Sequence, residues 1–187
     1  MSGEDDPIVP PFDLARIVEV FNRHGVSYLA IGGVSGFLHG MVFYVTQDVD
    51  MMVRSGRENF ERILRALGEL GADVSTATIG DLEVNTQWET QSGPLDILLT
   101  AVGPNETVIT FSELDRYSEA IEIENGLLVR TASLDDVIRM KEAADRVKDH
   151  QALPELRRLR GDVNPERSRD SDPFLDLPID GDEYEPD

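Results

Sequence analysis

Residues 28–53, YLAIGGVSGFLHGMVFYVTQDVDMMV, constrain this chain more than any other stretch. The apolar run Tyr28 to Ile31 ends in Gly32-Gly33, and the stretch closes on Asp48, Val49, Asp50 and Met51. The pattern predicts a strand, a glycine turn, a short helix, a loop and a second strand. Residues two apart on a strand share a face. Asp48 and Asp50 are therefore expected side by side, with Val49 and Met51 buried behind them. Two like charges so placed repel unless a cation lies between them. Hard oxygen ligands suit Mg²⁺, which binds one or two carboxylates together with substrate phosphates. Gly32 and Gly33 offer bare backbone N–H groups near a helix start, an arrangement that suits phosphate.

Two more charged residues stand where apolar ones are expected. Asp96 interrupts Leu95-Asp96-Ile97-Leu98-Leu99, a run that reads as a buried strand. A buried carboxylate is costly unless it is paired or bound to a cation. Pairing with an arginine such as Arg130 is the purely structural alternative. Lys141 follows Leu134, Val137 and Ile138 at helical spacing, on a helix that Ser133 caps. Its ammonium must reach a partner inside or solvent at the edge of the stripe.

The remaining elements follow from periodicity. Asp13 caps a helix carrying Leu14, Ile17, Val18 and Phe21, and Gly25 stops it. Phe60, Ile63, Leu64 and Leu67 mark a second long helix ending at Gly71. Residues 72–76 and Leu82 to Trp88 are expected as strands, with a Gly80-Asp81 turn between them. Residues 101–118 give no firm pattern. Ala120–Ile123 and Leu127–Thr131 form a hairpin around Asn125-Gly126. Arg146, Lys148 and Asp149 are expected to close the helix of Lys141, and Pro154 to lie in the first turn of a last helix ending near Arg160. His24, His39 and His150 share no metal-ligand spacing. Trp88, Met51 and Met52 are expected in the core.

These elements divide the chain into a flexible lead (1–12), a core (13–132), C-terminal helices (133–160) and an acidic disordered tail (161–187). At 187 residues the chain can bury one sizeable core. It has no cysteine, which excludes disulfides and thiolate zinc sites. No apolar run is long enough for a membrane span, and the acidic start is unlike a signal peptide, so a cytoplasmic protein is expected. The net charge of −20 repels nucleic acid overall. Residues 161–187 hold ten acidic and two basic residues, whereas residues 139–160 hold seven basic and four acidic ones. A polyanion would have to approach the latter stretch.

The ordered set of these residues resembles the nucleotidyltransferase superfamily, which includes DNA polymerase β. Gly32-Gly33, a gap of 14 residues and Asp48-Val49-Asp50 match its hG[G/S]…DxD signature, and Thr46 fits the form TxDxD. Asp96 matches the third carboxylate. Asp136, four intervening residues, Lys141 and Ala144 resemble the D-x4-K-x-x-A motif of the toxin branch of AbiEii and MenT types. Arg146-Val147-Lys148-Asp149 is similar to that branch's closing R-x-K-D segment. The branch usually carries serine at the place of Gly33, so the nearest hydroxyl here is Ser35.

The resemblance implies an α/β (α+β) nucleotidyltransferase fold, a mixed sheet flanked by helices, with the helices from residue 133 closing the cleft. It implies a Mg²⁺-dependent enzyme, Mn²⁺ being the alternative, that moves NMP from an NTP to an acceptor hydroxyl. Asp48 and Asp50 would be metal ligands, and Asp96 the third ligand or the base. Gly32, Gly33 and Ser35 would cradle the triphosphate. Lys141 would neutralise a phosphate oxygen, with Arg146 and Lys148 as further nucleotide-binding or acceptor-binding residues and Asp149 orienting a lysine. The branch acts on tRNA 3′ ends and is held in check by a cognate antitoxin. A protein or small-molecule acceptor, a non-catalytic nucleotide-binding module, and an acidic tail that acts as an interaction segment are the rival readings.

Overall fold

The computed structural model describes residues 11–42 and 46–161. The expected lead up to residue 10 and the acidic tail from residue 162 lie outside the described residues. Helix α1 (Leu14–Arg23) begins where Asp13 accepts a hydrogen bond from the Arg16 backbone N–H at 2.9 Å. Strand β1 (Tyr28–Ala30), helix α2 (Gly32–Leu38), strand β2 (Val49–Val53) and helix α3 (Arg57–Glu69) follow. Strands β3 (Thr86–Thr90), β4 (Gly93–Leu98), β5 (Thr100–Val102) and β6 (Val108–Thr110) lead to helix α4 (Phe111–Asp115). The hairpin β7 (Glu119–Glu124) and β8 (Leu127–Thr131) precedes helices α5 (Leu134–Ala144) and α6 (Val147–Arg160).

Six strands form one mixed sheet in the order β3-β4-β2-β1-β8-β7, and β5 pairs with β6 in a separate two-stranded ribbon. Strand β2 runs parallel to β4, and β1 parallel to β8, while the other pairs are antiparallel. The two faces of the sheet carry two apolar clusters. Val49, Met51 and Val53 of β2 join Leu95 and Ile97 of β4 in the core beneath α1 and α3. Met52 faces the other way, into a cluster with Ile109, Phe111, Val137, Ile138 and Leu156. The period of two thus places Asp50 and Asp96 on the same face as Met52 and Leu98.

Several expectations give way to local chemistry. Residues 72–76 form no strand, because Asp73 accepts hydrogen bonds from the Ser75 N–H at 3.0 Å and hydroxyl at 2.6 Å and turns the chain. Leu82 enters a 3-10 turn (Ile79–Leu82) closed reciprocally by Thr78 and Asp81, so the following strand starts only at Thr86. The segment without a clear pattern holds β6, α4 and the end of β5. Asp145 adopts left-handed φ of 51° and ends α5, so Arg146 caps a new helix rather than closing the old one. Pro154 lies inside α6, where Ala152, Leu153 and Leu156 pack into the second cluster. That burial outweighs the roughly 3 kcal/mol by which proline disfavours a helix interior.

Ile97 is fully buried directly behind the acidic face. Ile97→Ala should lower unfolding stability by about 2–5 kcal/mol in urea titration.

Candidate functional site

A cleft of about 490 Å³ opens where the start of β2 and the C-terminal half of β4 meet α5, the start of α6 and the β5–β6 ribbon. Gly32, Gly33, Asp48, Asp50, Asp96, Lys141, Arg146 and Lys148 all line it. The cleft therefore brings together every predicted site residue except Ser35. That serine is fully buried, and its Oγ lies 2.6 Å from Thr131 Oγ1. Its hydroxyl ties α2 to β8 and is not available to a phosphate, contrary to the sequence expectation.

Asp50 and Asp96 are direct partners in the parallel β2–β4 register. Asp48 precedes the strand instead of sharing it, and its carboxylate accepts from the Thr46 hydroxyl at 3.1 Å. Consequently the three aspartates do not converge into a three-ligand cluster, and among the described residues no other acidic or histidine group makes one. Burial pushes the Asp50 carboxyl up to about 7, and the charges of Asp48 and Asp96 add to this against Lys148 and Arg146. Burial and Asp48 also raise the carboxyl of Asp96. Among the described residues, its Oδ1 is buried without a hydrogen-bond partner. Arg130 does not supply one, since it bonds Ser118 and Asp115. An orphaned carboxylate oxygen beside a second carboxylate fits a hard divalent cation that takes its other ligands from phosphates and water.

Gly32 makes this geometry feasible. Its φ is +64°, and a Cβ there would lie 2.0 Å from Asp50 Oδ2. Only glycine lets the β1–α2 turn pass so close to the carboxylate.

The opposite wall is cationic. Lys141 is 4% exposed, and its Nζ donates to Asp149 Oδ1 at 3.2 Å. Arg146 Nε donates to Asp149 Oδ2 at 2.7 Å. Burial alone would raise the Asp149 carboxyl, but hydrogen bonds and charge from Arg146 and Lys141 hold it below the usual carboxylate range. Asp149 is thus the internal partner that the apolar-stripe lysine requires. Elsewhere the basic stretch is neutralised. Arg139 pairs with Glu113 and Asp136, Arg157 with Glu142, and Arg160 with Asp135.

Sequence reasoning missed the third wall. Asn85, Thr100, Val102, Glu106 and Val108 line the cleft from segments that carry no periodic signal. Only the Leu95–Leu99 run, leading directly into β5, hinted that this stretch lies near Asp96.

No protein-family model matches the sequence, and no curated protein matches it. Solved structures do. The antibiotic-resistance factor ANT(2'')-Ia in solution is 18% identical over 82% of this chain and 89% of that chain, at a TM-score of 0.50. Its crystal complex with adenylyl-2''-tobramycin is 18% identical over 83% of this chain and 95% of that chain, also at 0.50. This is a nucleotidyltransferase fold. The Thermotoga maritima protein TM1012, a provisionally assigned nucleotidyltransferase, gives a weaker likeness, with 18% identity over 84% of this chain and 88% of that chain at 0.48. Among the described residues no helix of this fold is long and apolar enough to cross a membrane.

Two outcomes test the site. The folded Asp50 carboxyl lies near 7, above its value of about 3.9 in an unfolded chain, so the folded state holds the proton more tightly. The associated stability is complete below about pH 4 and is lost as pH rises through about 7, by on the order of 4 kcal/mol at most. The melting temperature of metal-free protein should fall between about pH 4 and 7, and Asp50→Asn should flatten that fall. Gly32→Ala should displace the Asp50 carboxylate, so that a rise in melting temperature on adding Mg²⁺ or Mn²⁺, expected for the wild-type chain, should be absent in the variant.

Proposed function

We propose that this protein is a metal-dependent nucleotidyltransferase that transfers NMP from an NTP to an acceptor hydroxyl. The observation that carries the reading is the in-register pair Asp50 and Asp96, facing a cleft whose opposite wall presents Lys141, Arg146 and Lys148. An acidic wall for cations and a basic wall for phosphates are what a nucleoside triphosphate with its metal requires. Asp50 and Asp96, with Asp48 adjacent, would hold Mg²⁺ or Mn²⁺. When bound, the metal supplies Lewis-acid stabilisation of the triphosphate charge. Gly32 and Gly33 let the phosphates approach the backbone. The acceptor oxygen attacks the α-phosphorus, the bond to the β-phosphate oxygen breaks, and pyrophosphate leaves. Asp96 would serve as a metal ligand or as the base that receives the acceptor proton. Lys141, fixed by Asp149, offsets charge that moves onto the phosphates during transfer.

The structural neighbour ANT(2'')-Ia, solved with adenylyl-2''-tobramycin, supports a small hydroxylated acceptor. The toxin-like reading, with a tRNA 3′ end as acceptor and a cognate antitoxin, has one observation in its favour. Lys141 and Ala144 of the D-x4-K-x-x-A motif both line the cleft. Against it, the arginines of the basic stretch are engaged with carboxylates.

Each labelled NTP, incubated with the protein, Mg²⁺, total RNA and a set of hydroxylated small molecules, should give a labelled product from one acceptor class. Absence of product with all four nucleotides would count against the reading. Asp50→Asn should remove the activity. Lys141→Gln, which can still hydrogen-bond Asp149, should lower kcat by about 10²–10³-fold, as expected for loss of a preorganised charge at the transferring group.

A further inference from the structure

The β5–β6 ribbon is short and carries an unusual surface. Val102 and Val108 stand directly opposite each other in its register, so they share one face. They are 56% and 63% exposed, whereas Ile109 on the other face is 1% exposed and anchored in the second cluster. Both valines line the cleft. So does Glu106, which has no ion-pair partner among the described residues. The cations of the cleft all stand on the helical wall, and the wall built from β4 and the ribbon contributes only Asp96 and Glu106 as charged residues.

The ribbon is held in place. Asn85 Oδ1 accepts from the Leu99 N–H at 2.8 Å and its Nδ2 donates to the Thr100 carbonyl at 3.2 Å, fixing the break between β4 and β5. At the tip, the Gly103 N–H donates to the Thr107 carbonyl at 2.7 Å, and Thr107 Oγ1 donates to the Pro104 carbonyl at 2.8 Å. Asn105 and Glu106 adopt left-handed φ of 53° and 60° in succession. That conformation is costly for residues other than glycine and persists where the surroundings impose it, a pattern found at ligand clamps.

We propose that this ribbon is the acceptor wall of the cleft: Val102 and Val108 seat the apolar face of a small hydroxylated ring, and Glu106 draws an ammonium group carried by that ring. The proposal rests on the nucleotidyl-transfer reading above, which puts the triphosphate against Lys141, Arg146 and Lys148 and the attacking hydroxyl beside Asp96. The ring then occupies the wall continuous with Asp96. Two carboxylates without a cation on that wall repel a polyanion and favour an amine. The paired valines supply an apolar seat that a phosphate backbone would not use.

The test titrates the full chain by calorimetry with three probes: tobramycin as a hydroxylated polyamine, maltotriose as an uncharged polyol, and total tRNA as a polyanion. Binding of each of the four NTPs with Mg²⁺ is measured separately. Tobramycin should bind, and maltotriose and tRNA should bind at least about tenfold more weakly. Glu106→Gln and the double variant Val102→Ser/Val108→Ser should each weaken tobramycin by about tenfold or more, the loss expected for one charge-assisted contact or one apolar seat. Both should leave Mg²⁺–NTP affinity within about twofold and melt as the wild type does. No tobramycin binding, unchanged affinity in either variant, or preferential binding of tRNA overturns the proposal. Failure of the wild-type chain to bind any of the four NTPs with Mg²⁺ would instead overturn the nucleotidyl-transfer reading, and the tobramycin titrations would still report on the wall.

Discussion

The parallel pairing of β2 with β4 sets Asp50 opposite Asp96, and this repulsive contact is what the rest of the structure accommodates. Two carboxylates on one sheet face are tolerated because their neighbours Val49, Met51, Leu95 and Ile97 bury on the other face. Burial of those side chains fixes the register, since a slip of one residue would turn every side chain over. The cost falls on the acidic face. It is visible in the upward shift of both carboxyls and in the orphaned Asp96 Oδ1. Locally unfavourable electrostatics held by a rigid apolar scaffold is the arrangement that the proposed cation would relieve.

The remaining parts answer that negative field. Gly32 lets the backbone close over Asp50 without a Cβ clash. Helices α5 and α6 carry Lys141 and Arg146 to the opposite side, and buried Asp149 anchors both. The break at Asp145 matters here, because it starts α6 early enough to bring Asp149 back under Lys141. Outside the cleft the arginines of these helices pair with carboxylates, so the positive charge that faces the site is concentrated at its wall rather than spread over a surface.

Legibility of the sequence followed the strength of the burial signal. The strand around Asp96, the Asn125-Gly126 hairpin and the capped helices at Asp13 and Ser133 are all present, because each combines a clear period with a turn or cap residue. Ser35 was misassigned because a hydroxyl near a glycine turn looks the same in sequence whether it faces a ligand or a neighbouring strand. Residues 72–76 failed as a strand because Asp73 and Ser75 offered the backbone a competing local bond. The ribbon of β5 and β6 was illegible because each strand has three residues, too few to show a period.

By itself the sequence determined that Asp50 and Asp96 lie on strand faces opposite to apolar neighbours, that a glycine turn precedes them, and that a lysine breaks a helical apolar stripe. Those are local consequences of side-chain period, and a linear chain carries them completely. Only the tertiary structure decided that the two carboxylates pair in register, that Asp48 turns to Thr46, that Ser35 is spent on Thr131, and that Asp149 holds Lys141. Each of these depends on which strand or helix becomes a neighbour. That choice is made by the burial of the whole core, and no short stretch of the sequence contains it.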